Sequence, residues 1–195
     1  MISSKNTPSL LPSANMKTIP IFFFVAFCAL LSPALAADWD QWGRTPNRNM
    51  ASSEKGLPTY FDPGKLDAKG EGIVPGSTRN IAWVAKLGSQ TYGNPTVSGG
   101  QVFVGTNNAS PRQPSVVGDR GILMSFDEGT GAFQWQLSSL KLGAGKVSDW
   151  EYLGICSSPS VVGKQLFVVT NRAEVMALDT QGIQNGNQGP FVGEA

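Results

Sequence analysis

Apolar and polar positions recur in the same order at two places along the chain. Gly93-Asn94-Pro95-Thr96-Val97-Ser98-Gly99-Gly100-Gln101-Val102-Phe103-Val104-Gly105-Thr106-Asn107 reappears without a gap as Ser157-Ser158-Pro159-Ser160-Val161-Val162-Gly163-Lys164-Gln165-Leu166-Phe167-Val168-Val169-Thr170-Asn171. Each copy predicts a short strand, a glycine turn and a second strand rich in β-branched and aromatic residues. A third strand follows in both: Ile122 to Asp127 in the first copy, Glu174 to Asp179 in the second. In the first copy the turn Glu128-Gly129-Thr130-Gly131 leads to a fourth strand over Ala132 to Leu137.

The copies differ by two insertions of similar size. One, Asn108 to Arg120, separates the second and third strands of the first copy; the other, Lys141 to Tyr152, precedes the second copy. Without them the period is about 40 residues and four strands, the size of one propeller blade. The predicted fold is all-β: a partial β-propeller of four-stranded antiparallel blades, about two blades plus an extra outer strand at Trp83. A solenoid or a plain sandwich is the alternative. The chain divides into an N-terminal extension and signal peptide (1–36), an N-terminal arm (37–79), the blades (80–180) and a polar tail (181–195). About two blades leave strand edges uncovered, and the tail begins where another blade is due, so a truncated product is expected.

The start of the chain reads as an export signal. Met16-Lys17 precedes the apolar run Ile19 to Leu31, and Ser32-Pro33-Ala34-Leu35-Ala36 supplies small residues for cleavage after Ala36. Residues 1–15 read as an upstream start-codon extension. The run is short for a membrane span, so a periplasmic or secreted protein with no membrane span after cleavage is expected. No cysteine at the junction offers a lipid anchor. Cys28 leaves with the signal, and Cys156, left alone, is expected to be buried.

Composition narrows the chemistry. The formal net charge is +1, which gives no basic field for nucleic acid. Histidine is absent, which excludes a Ser-His-Asp triad, a Cys-His zinc site and a haem-attachment CxxCH within this sequence. With 23 glycines and 13 prolines the composition suits short strands joined by many turns.

Ser125, Asp127, Gly131 and Trp135 occupy the positions of an Ala-x-Asp-x-x-x-Gly-Lys-x-x-Trp docking motif, with Ser125 and Ala132 in place of the usual Ala and Lys. This pattern resembles the repeat of pyrroloquinoline-quinone (PQQ) enzymes and their exported quinoprotein-type β-propeller relatives. The second copy keeps Ala177 and Asp179 but places Ile183 where the glycine should stand. The resemblance implies an architectural role: the indole packs between neighbouring blades, and Asp and Gly shape the turn. Trp83 looks like the closing residue of a preceding blade. The segment Trp39 to Asn49 is similar to the opening of exported propeller proteins of a large bacterial group. It reads as an arm packing Trp39 and Trp42 onto the propeller, with a carbohydrate-stacking platform as the alternative.

Candidate ligand contacts lie in the two insertions, which should project from a rim of the ring. The first carries Arg112, Asp119 and Arg120, and an Arg pair there could hold a carboxylate or phosphate; a local Asp-Arg pair in a solvated loop is the plainer reading. The second carries Asp149, Trp150 and Glu151, the best candidate surface. Its glycines match no phosphate loop. Asp179 with Asn185 and Asn187 matches no EF-hand spacing.

No catalytic residue, cofactor ligand or metal site is assigned. The expected function is an exported binding or scaffold propeller that takes a protein or small-molecule ligand on one face. The alternative is a fragment of a PQQ- and calcium-dependent alcohol or sugar dehydrogenase. The resemblance implies that such enzymes hold PQQ and calcium on ligands from several blades, so PQQ with calcium is possible in a full-length protein and no cofactor is established for this chain.

Overall fold

The computed structural model describes residues 37–143 and 149–183. The leader, residues 144–148 of the second insertion and the tail, with Asn185 and Asn187, lie outside the described residues.

Seven strands form two antiparallel sheets. β1 (Thr96–Ser98), β2 (Gln101–Asn107), β3 (Arg120–Asp127) and β4 (Phe133–Leu140) make the first, in the order β1-β2-β3-β4. β5 (Ser160–Val162), β6 (Gln165–Val169) and β7 (Val175–Asp179) make the second, in the order β5-β6-β7. The described residues contain no helix, and none therefore is long and apolar enough to cross a membrane.

The internal repeat is a repeat of register. Thr96 pairs Phe103 as Ser160 pairs Phe167, and Gln101 pairs Asp127 as Gln165 pairs Asp179. Each β-hairpin turns where glycine allows it; Gly99 and Gly100 both take positive φ (58° and 79°), the backbone a tight two-residue turn requires. A register shift between Ser125 and Phe126 marks a bulge opposite β4.

The sheets stack face to face, as successive blades of a β-propeller do. Phe103, Leu123, Trp135 and Leu137 of the first sheet pack with Val161, Leu166 and Val168 of the second, over Ile155 in the connection. The opposite face of the first sheet, Val104, Ile122, Met124 and Phe126, is covered by Trp83, Ala85 and Leu87. This covering segment takes no ladder partner among the described residues. The sheets also join at their inner edges: Thr96 Oγ1 donates to the Pro159 carbonyl (2.7 Å), and the arm runs between them. Trp39 bridges Val97, while the Asp40 carbonyl accepts from Val161 N (2.7 Å).

Two indoles lock the blades. Trp135 Nε1 donates to the Thr180 carbonyl (2.9 Å), and Trp83 Nε1 to the Glu128 carbonyl (2.6 Å). Each ring lies against a glycine in the following turn. A Cβ on Gly131 would meet Trp83 at 2.5 Å, and one on Gly182 would meet Trp135 at 2.6 Å. Asp127 caps its turn by accepting from Thr130 N and Oγ1, and those hydrogen bonds hold its carboxyl below the ordinary carboxylate range.

The docking motif corrects the reading of the second copy. Its glycine is Gly182, not displaced by Ile183: the turn after Asp179 is one residue shorter, so Gly182 arrives with φ of 58° in the place Gly131 fills with φ of 70°. The acceptor is conserved in kind, since Thr180 and Glu128 each follow their Asp directly.

Candidate functional site

The two insertions meet at one rim. Asn108 holds the first, its Nδ2 donating to the carbonyls of Val116 (2.8 Å) and Gly118 (2.9 Å). That places Asp119 beside the second insertion, where its Oδ2 accepts from Tyr152 N (2.7 Å) and lies 3.6 Å from Lys141 Nζ. Asp119 thus pairs across the loops rather than with a neighbouring arginine. Lys141 Nζ also donates to Asp149 Oδ1 and to the Trp150 carbonyl.

Asp149 is the hub of this cluster. Its side chain is 2% exposed, and Oδ2 accepts from Leu142 N (2.9 Å) and Asn171 Nδ2 (2.8 Å). Burial by itself pushes its carboxyl up; the hydrogen bonds from Lys141, Leu142 and Asn171 outweigh it and hold the group below the ordinary range. Asn171, in the β6–β7 turn, also donates to the Leu140 carbonyl (3.0 Å), tying the second sheet to the end of β4. The side chains of Trp150 and Tyr152 stay outside this network, the residues being 61% and 44% exposed. Glu151 is exposed beside them.

Three expectations are corrected. Arg112 does not join Arg120: its guanidinium carbon lies 5.2 Å from the Phe126 ring and 5.0 Å from Phe133, and it donates to the Lys86 carbonyl. An arginine beside two π-faces is held there by ring quadrupoles, which a sequence reading of a polar loop does not reveal. Cys156 is exposed, not buried, because it lies in the connection before β5 rather than on a packed strand. Local desolvation pushes its thiol up. Trp39 is half-buried against β1, but Trp42 remains 49% exposed, with Arg48 5.7 Å above its ring.

Arg120 instead shares a cleft with a residue the sequence did not mark. A cavity of about 500 Å³ surrounds the end of β4 and is lined by Ser115, Arg120, Ser138, Ser139, Arg172 and Glu174. Arg172 lies in the β6–β7 turn, far from Arg120 in sequence, and lines the cavity from the second sheet.

The donor set does not fit calcium with a quinone. Among the described residues no group of three or more acidic or cysteine side chains could hold a metal ion. Asp149 already accepts from Lys141 and from Leu142 N, and Asp119 accepts from Tyr152 N and pairs with Lys141. No step is therefore derived through PQQ.

No match was found among the curated proteins. The family model described as outer membrane protein assembly factor BamB, a model of PQQ-like repeats, matches residues 73–182. That span covers more than half of the chain and contains both indole seats and all seven strands, and the chain belongs to this family of PQQ-like β-propeller repeats.

Proposed function

We propose that the protein is an exported binding or scaffold propeller whose rim contacts another protein. The observation that carries this reading is the platform formed by the insertions. Lys141 pairs with both Asp119 and Asp149 within it, while the side chains of Trp150 and Tyr152 project from it. Aromatic side chains fixed on a pre-organised surface are typical anchors of protein interfaces, since little ordering entropy is lost on contact. The matched family model is described as an assembly factor, a role that works through protein contacts. The leader at 16–36 supports export to the periplasm or beyond.

A photo-crosslinking residue in place of Trp150, installed in the full chain in cells, tests the reading. A discrete protein adduct, absent when the same residue replaces exposed Val84, is expected; no adduct specific to position 150 overturns it. The competing dehydrogenase reading has its own measurement. Full-length protein titrated with PQQ and calcium should show no saturable change in quinone absorbance. Saturable binding together with dye-linked alcohol oxidation would replace the scaffold reading.

A further inference from the structure

Two unused surfaces of the fold complement each other. The segment 81–87 behaves as a fourth strand without a sheet. Half-buried Ile81, Trp83, Ala85 and Leu87 alternate along it with exposed Ala82, Val84 and Lys86. Trp83 seats at the Glu128 carbonyl as Trp135 of β4 seats at the Thr180 carbonyl, so the segment stands to the first sheet as β4 stands to the second. Yet among the described residues no backbone–backbone hydrogen bond reaches 81–87, whereas β4 pairs with β3 along its length.

β7 presents the counterpart. It pairs with β6, and its other edge is open among the described residues. Trp135 follows Gly131 by four residues, but four residues after Gly182 the sequence has Gly186, so it supplies no equivalent indole there. The face of β5–β7 turned away from the first sheet carries exposed Val162, Val169 and Val175. By strand alternation and register, this is the face that Phe103 and Leu123 occupy in the first sheet, where both are fully buried against the second.

We propose that a second copy of this chain completes the second sheet: its segment 81–87 adds antiparallel to the open edge of β7, and its first sheet stacks over the exposed valines. The contact repeats the one made inside the chain, with β3 and β4 as its template. Trp135, Gln136 and Leu137 stand opposite Ser125, Met124 and Leu123. The same register sets Trp83 opposite Ala177, Val84 opposite Met176 and Ala85 opposite Val175 of the other copy. Strand addition satisfies backbone groups along both edges, and burial of the valines adds a hydrophobic contribution. Because the two surfaces differ, the contact is head-to-tail rather than two-fold. It uses neither Trp150 nor Tyr152, so it and the protein contact proposed at the rim can fail separately.

A photo-crosslinking residue at Val84 of the full chain should give a covalent dimer of this chain, joined at β7 by peptide mapping and distinct in mass from the adduct expected at position 150. Native mass spectrometry reads the rest. Val175→Lys buries a charge in the contact and should weaken self-association at least about tenfold. Val117→Lys, at a similarly exposed valine on the rim, should leave it unaltered. Successive N–H groups point to opposite edges of a strand, so either Val84→Pro or Ala85→Pro removes a donor facing β7 and should abolish the dimer. Mixing that variant with Val175→Lys should restore a one-to-one complex, since each offers the surface the other lacks; copies joined through like faces would not be rescued. If proline unfolds the segment, the Val84 adduct alone decides. No dimer adduct at Val84, including capture of some other protein instead, a dimer joined away from β7, or no rescue between folded variants overturns the proposal.

Discussion

Gly131 and Gly182 do two jobs at once: each takes a left-handed backbone, and each leaves room for an indole where a Cβ would collide with it. Gly182→Ala should therefore cost about 2–4 kcal/mol, combining the strain of positive φ with overpacking; denaturant unfolding measures it. Trp135→Phe keeps much of the packing but orphans the Thr180 carbonyl, for a further loss of about 1–3 kcal/mol. Cys156 offers a separate residue-scale check. Being exposed, it should be alkylated in the native protein without denaturant, as peptide mapping would show. Since desolvation raises its thiol, the rate should be slow near neutrality and climb with pH.

At the scale of elements, the second insertion is held to the second sheet through Asp149. Its native carboxyl titrates below its unfolded value. The stabilisation is full above the ordinary aspartate value of about 3.9 and is lost as pH falls through the depressed native one. Acid unfolding followed at Trp150 should show this loss, and Asp149→Asn should flatten it. Lys141→Met leaves Asp149 buried beside only neutral donors and should cost more than the double change Lys141→Met with Asp149→Leu, in which the buried Asp149 charge is gone and only the Asp119 carboxylate loses its partner.

The strands themselves were legible because period-two patterning and glycine turns are local. The sequence places the third strand at Ile122 and the structure starts β3 at Arg120; both end at Asp127. The candidate site was legible only in pieces. Asp119 and Asp149 stood out as charges, but their meeting at Lys141 depends on how two insertions lie against each other after the sheets stack. Gly182 was missed because a one-residue deletion in a turn moves the motif while preserving its geometry. Arg172 was missed because it sits in a short hairpin turn that carries no signal of its own.

On the scale of the whole molecule, equivalent faces of the two sheets differ in cover. Leu123 is fully buried between the sheets, whereas Val175, at the same place in the second sheet, is 73% exposed. Val162 and Val169 on that face are exposed as well. An apolar sheet face of this kind favours association with another copy. Sedimentation should show self-association that rises with concentration, and Val175→Lys should reduce it while changing stability by no more than about 0.5 kcal/mol.

Because Trp83 and Trp135 each seat in the turn that follows the next repeat's third strand, the true joint of the molecule does not fall between sheets. A chimera cut in the connection between β4 and β5 would pair Trp135 with a foreign turn, and a mismatch of one residue there would leave the ring without its glycine floor. Exchange of whole modules among such propellers should succeed when the segment from an indole to its own seat, residues 135–182 here, travels as one piece.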